Sequence, residues 1–272
     1  MQFFEIISKL FGIGYVSAWS ISFYPPLILN YQLKSSEGIS IDFVYLNILG
    51  YVSLVTSMLL MLFNSNVRDL YFEKNGYYPL LTNIDLLYSS HGVLLTLVTT
   101  SQLIFSELWG FKTRSLTAKR ATKWILISVI TLICLLYLCI GSEIVPFDDD
   151  GVFTLLDWAV SLSYFKILMS CIKYIPQLLH NKRRRSIVGF SIFTIFLDLS
   201  GSILSTLQLF LDSYIATGTL TWDVMVQNSG KLGLSFITFV FDAAFFYQWF
   251  IYGMNSDKSL YESIPTPYRE IA

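Results

Sequence analysis

The chain has 272 residues, 54% of them hydrophobic and only 14% charged, with a formal net charge of -1. Soluble domains carry about 25% charged residues, so this composition defines a membrane protein, and nothing in it argues for a nucleic-acid partner. Cys134, Cys139 and Cys171 stand in apolar stretches without metal-ligand spacing, so no metal or other cofactor is expected. Apolar runs of about 20 residues, enough to cross roughly 30 Å of hydrocarbon, fall near 11–29, 41–63, 84–106, 124–142, 154–178, 188–211 and 232–253. Glu5 and Lys9 precede the first run where a cleavable leader would be apolar, so that span is expected to act as its own insertion signal.

Basic residues orient the spans, because positive loops stay cytosolic. Lys34 lies after the first span, Lys112, Arg114, Lys119, Arg120 and Lys123 after the third, and Lys182 to Arg185 after the fifth. The loop after the fourth carries Glu143 and Asp148 to Asp150 and no base. The expected topology has the N-terminus luminal or outside and the C-terminus cytosolic.

One passage occurs twice. Residues 24–50 and 175–201 align without a gap and pair Pro25 with Pro176, Asn30 with Asn181, Ser35 with Ser186, Gly38 with Gly189, Ser40 with Ser191 and Gly50 with Gly201. The offset covers four crossings, so both copies point the same way, as parallel repeats do in some transporters. The expected fold is an all-α membrane protein of seven transmembrane helices, two parallel three-helix bundles joined by a linker helix. Residues 1–110 form the first bundle, 111–150 the linker helix and its loops, 151–253 the second bundle and 254–272 a cytosolic tail. Pro25, Pro26 and Pro176, with Gln177, lie near the cytosolic ends of the first and fifth spans and are candidate hinges, since proline frees a carbonyl and kinks a helix.

A charge inside a bilayer marks function by default. Lys166 and Lys173 lie seven residues apart on one face of the fifth span, Asp198 lies near the middle of the sixth, Asp242 in the seventh, and Asp85 with His91 in the third. Asp157, near a helix end, carries little weight. These cations and carboxylates suit a zwitterionic amino acid, although the same groups also serve as internal ion pairs that lock helices. Asn47, Tyr164, Thr194, Ser202 and Gln208 add neutral polar groups. Asp198 replaces the amide Asn47 of the other copy and is the best-placed proton carrier. One pH unit of gradient is worth about 1.4 kcal/mol. No nucleophile with a base, metal cluster or phosphate loop points to an enzyme.

The stretches AWSISFYPPLILN, GISIDFVYLN, SSHGVLLTL, KYIPQLLHN, FLDLSGS and KLGLSFITFVFDAAFF resemble the cystinosin family of PQ-loop membrane proteins, over about Gly14 to Phe250. The resemblance implies a SWEET-like fold and proton-coupled export of cystine from an acidic lysosome or vacuole to the cytosol, with substrate held between bundles. It gives Asp198 and Asp85 proton-linked roles. Lys166, Lys173, Asn181, Asn47, Thr194, Lys231 and Asp198 match substrate-path positions, with Asp242, Gln208 and His91 in support. The chain departs from the family at Pro26, where a glutamine is usual, and at Thr194, where an asparagine is usual. The family's long luminal N-terminal domain and glycosylation sequons are not found in it. Tyr261 with Ile264 and Tyr268 with Ile271 resemble cytosolic sorting signals read by an adaptor. Two rivals stay open: an exporter of cationic or other amino acids with the same fold, which the lysines disfavour, and a seven-helix trafficking receptor.

Overall fold

The computed structural model describes residues 2–76, 78–79, 81, 83–112, 117–142, 152–218 and 229–253. Among these the chain is helical, with no strand: α1 Gln2–Ile21, α2 Tyr24–Leu33, α3 Ile41–Phe63, α4 Ser65–Asn75, α5 Asn83–Ile104, α6 Arg120–Leu138, α7 Leu155–Arg184, α8 Ile192–Thr217 and α9 Ser229–Gly253. Six segments of the described chain are long and apolar enough to cross a membrane, with α1 and α2 forming one of them together. Helix α5 has the length, at 22 residues, but Asp85, Ser89, His91, Thr99, Thr100 and Gln102 leave it too polar to join the six. The chain is thus a multi-pass helical membrane protein.

The two proline motifs shape their helices differently. Pro25 and Pro26 both lack an N–H, so two successive helical bonds are lost, and the first span breaks into α1 and α2 at Ser22 and Phe23. Pro176 removes one bond, and α7 runs through it for 30 residues. The fifth expected span therefore reaches six residues beyond its expected end at 178, as far as Arg184.

Periodicity alone gave no hint of α4. Asn64 caps it by accepting from Val67 N–H at 3.1 Å, and Gly76 ends it at a φ of 77°, a left-handed conformation that glycine adopts without penalty. Its anchor is Val67, fully buried with Met61, Leu156 and Ala159.

Two compact units are present, with boundaries at 40/41, 97/98, 116/117 and 173/174. The first holds α1, α2, α8, α9 and the last turns of α5 and α7; the second holds α3, α4, α6 and the longer first parts of α5 and α7. This division does not follow the sequence halves, since each unit takes helices from both. In the first unit α1 packs along α8, where Gly201 lies so close to the Trp19 ring that a Cβ would come within 2.5 Å of it. In the second, Leu46 on α3, Val129 on α6 and Leu162, Phe165 and Met169 on α7 form the core, and a Cβ on Gly50 would stand 3.0 Å from Met169 Cβ. Small residues let membrane helices approach this closely, because lipid supplies no hydrophobic drive of its own between helices. Outward faces are apolar, as in α6, where Leu132, Leu135 and Leu138 are exposed.

Candidate functional site

In the second unit the lysines of α7 meet one face of α3. Phe43, Asn47 and Tyr51 recur every fourth residue and so share that face. Lys173 Nζ donates to Asn47 Oδ1 at 3.0 Å and lies 5.4 Å from the Phe43 ring centroid. Asn47 Nδ2 in turn donates to Thr96 Oγ1 at 3.3 Å, and Thr96 donates to Gly92 O on its own helix at 2.7 Å. Two turns earlier on α7, Lys166, only 9% exposed, places Nζ 3.4 Å above the centre of the Tyr51 ring, a cation–π contact that strengthens where water is excluded. Gly92 makes room for that ring, because a Cβ there would come within 2.7 Å of it. The result is a pair of ammonium groups held by an amide and an aromatic face, without a carboxylate in either of those contacts.

Asp85 and His91 belong to the same unit, half-buried on α5. Asp157, in the first turn of α7, is buried. Its Oδ2 accepts from Thr154 N–H at 2.8 Å and from Thr154 Oγ1 at 2.6 Å, and its Oδ1 lies 4.0 Å from Lys74 Nζ. It caps the start of α7, a structural task. Asp42, which the sequence reading passed over, is 2% exposed and accepts Lys119 N–H at 2.8 Å, with Lys119 Nζ at 3.2 Å. It ties the start of α6 to α3.

The remaining candidates lie in the first unit. Asn181 and Gln177 are fully buried: Gln177 Nε2 donates to Asn181 Oδ1 at 2.9 Å, and Asn181 Nδ2 to Gln248 Oε1 at 3.1 Å. Thr194 Oγ1 donates to Ser22 O at 3.3 Å. That carbonyl lies four residues before Pro26, so Thr194 satisfies the acceptor that the missing proline N–H leaves open. Asp198 is half-buried, and its backbone carbonyl accepts from Trp19 Nε1 at 3.3 Å. Asp242 is fully buried. Gln208 lies over Gly12, where a Cβ would meet its amide nitrogen at 2.8 Å. Lys231 falls in the first turn of α9, with its side chain outside the described residues, as is the whole tail with Tyr261, Ile264, Tyr268 and Ile271. Tyr164, in the second unit, points outward, 58% exposed. The sequence reading also missed Tyr51, Thr96, Gln102 and Gln248. Gln248 carried a signal, being a lone amide in an apolar helix end, whereas Gln102 follows Thr99, Thr100 and Ser101 and stands out less.

The PQ loop repeat pattern matches residues 7–67 and 158–217. The chain is 37% identical over 250 residues to a cystine transporter of Saccharomyces cerevisiae, covering 90% of this chain and 94% of that one. It is 32% identical over 266 residues to a cystinosin homolog of Dictyostelium discoideum, covering 97% and 87%. With cystinosin of Bos taurus it shares 32% over 254 residues, 90% of this chain and 63% of the bovine protein. Fold and site define a multi-pass membrane protein built on a duplicated PQ loop repeat. The chain belongs to the cystinosin family.

Proposed function

We propose that this chain exports cystine, together with a proton, from the acidic lumen of a lysosome or vacuole to the cytosol. The observation that carries the reading is the Lys173–Asn47 pair with Lys166 two turns earlier on the same helix, in a chain whose relatives include a cystine transporter. An ammonium has three donors. Lys173 gives one to Asn47, which holds the lysine in place, and its positive charge meets a carboxylate of the substrate, with neutral groups sharing the remaining contacts. Asn181, Thr194, Lys231 and Asp198 complete the substrate path, with Asp242, Gln208 and His91 in support. Asp198 and Asp85 carry the proton, and Pro25, Pro26 and Pro176 are the hinges of an alternating-access cycle of seven crossings. The N-terminus is luminal, and the cytosolic tail presents Tyr261 and Tyr268 to a sorting adaptor.

Uptake of labelled cystine into proteoliposomes, with and without a pH gradient and in competition with cysteine, lysine and arginine, tests this directly. Cystine uptake that rises with an inward proton gradient and resists lysine and arginine is expected. Uptake of the cationic amino acids instead would reassign the substrate, and uptake of nothing would make the chain a receptor.

A further inference from the structure

The end of α1 is fastened to the first turns of α8. Thr194, Asp198 and Gly201 follow one another at spacings of four and three, so they share one face of α8. The Trp19 ring lies against Gly201 on that face, within 2.5 Å of where a Cβ would stand, and Trp19 Nε1 donates to Asp198 O at 3.3 Å. One turn nearer the start of α8, Thr194 Oγ1 donates to Ser22 O at 3.3 Å. Ser22 is three residues beyond Trp19, so the two bonds leave successive turns on both sides.

Each end of the second bond is itself held. Ser22 is buried; its N–H reaches Ala18 O at 3.0 Å and its hydroxyl donates to Trp19 O at 2.9 Å, so its own donors continue the ladder of α1. Only its carbonyl leaves that ladder, because residue 26, four positions on, is a proline. Phe23 follows with φ -73° and ψ -25°, still near helical values, so the chain stays close to a helix through the break although its bonds do not. On α8, Ser191 caps the helix by accepting from Thr194 N–H at 3.4 Å. The threonine is therefore fixed at its backbone, and its hydroxyl has a single proton to give.

We propose that Thr194 is a positioning residue for the break between α1 and α2, and not a donor to substrate. Its hydroxyl takes over the carbonyl that Pro26 cannot serve, so the break at Ser22 and Phe23 is carried by α8, the helix that bears Asp198 one turn further on. A tie of this kind suits a hinge. An N–H at residue 26 would stiffen the span from within. A hydroxyl on a neighbouring helix spares the buried carbonyl the cost of a desolvated acceptor left unpaired, and leaves the angle of the break to the position of α8. Thr194 thus serves the substrate path by placing the hinge. The inference deepens the transport reading and rests on it for its effect on turnover; the contribution of the bond to the fold does not depend on that reading.

A double-mutant cycle tests the tie by thermal unfolding of the purified chain. Thr194→Val keeps the shape and deletes the donor, and Pro26→Ala supplies the missing N–H to Ser22 O. Thr194→Val alone is expected to lower the melting temperature by about 4 °C. Thr194→Ser, and Thr194→Val in the presence of Pro26→Ala, are each expected to lower it by no more than about 1 °C. An equal loss from Thr194→Val in both backgrounds overturns the proposal. Should Thr194→Val not yield folded protein, recovery on adding Pro26→Ala is the expected result, and no recovery overturns it. Should Pro26→Ala not fold, the contrast between valine and serine at 194 decides, and equal melting temperatures there overturn the proposal. In proteoliposomes, cystine uptake per folded molecule is expected to fall about fivefold in Thr194→Val and to return in Thr194→Ser, with cystine binding, read as thermal stabilisation, within about threefold of the wild type. Binding weakened about tenfold or more at unchanged turnover would make Thr194 a substrate ligand and overturn its assignment. Absence of cystine uptake by the wild type would strike the transport reading alone, since the unfolding cycle still decides the tie.

Discussion

Asp198 and Asn47 stand at equivalent places in the two repeats, one ionisable and one neutral, so the fold itself demonstrates that an amide is accepted there. Asp198→Asn is therefore expected to leave a folded protein with an unchanged melting temperature, to within about 2 °C, and to abolish the stimulation of uptake by a pH gradient. Wild-type stimulation in that variant would remove Asp198 from the proton path. Lys173 makes a different case, because its bond to Asn47 is visible and its role toward substrate is proposed. Lys173→Met keeps the stem that packs near Phe43 and deletes the charge. A ligand at about a hundred times its Kd stabilises a protein by about 2.7 kcal/mol, so cystine should raise the melting temperature of the wild type and fail to raise that of the variant. If the variant is less stable and still responds fully to cystine, the lysine is structural.

At the scale of elements, the close approaches in this molecule differ in what yields. Gly38 meets the backbone of Gly189, which cannot swing aside, and the nearest atom would lie 2.0 Å from a new Cβ. Gly12 meets only the flexible end of Gln208, at 2.8 Å. Gly38→Ala is accordingly expected to cost about 3 kcal/mol or more, lowering the melting temperature by about 6 °C or more. Gly12→Ala should stay within about 2 °C of the wild type, since a rotamer change relieves the contact and alanine favours the helix. Thermal unfolding of both variants decides this, and equal melting temperatures would place the loop contact wrongly.

For the whole molecule, the distribution of bases predicts a cytosolic tail. A tag fused to the C-terminus should be cleaved by protease added outside sealed lysosomes or vacuoles, and a protected tag would reverse the topology. With that topology established, changing Tyr261 and Tyr268 to alanine is expected to move part of the protein to the cell surface while transport per molecule stays intact, because the tail follows the last helix. Surface biotinylation measures the shift, and an unchanged distribution would remove the sorting role.

Composition and apolar run length were enough for a helical multi-pass membrane protein, because the bilayer demands long apolar segments with internally satisfied backbones. The repeat and its blocks were enough for the family, and the two lysines seven residues apart on α7 were legible because helical periodicity puts them on one face. The bond of Thr194 was not legible, since only a neighbour distant in the chain reveals that its hydroxyl answers the carbonyl left open by Pro26; the cap of α7 is local, a Thr-x-x-Asp pattern of Thr154 and Asp157 that the sequence already carries. Which helices pair was also beyond it. Lipid solvates every outward face alike, so hydropathy carries no record of partners; the choice of α8 for α1 and of α3 for α7 lies in glycines and buried amides whose fit exists only once the helices have met.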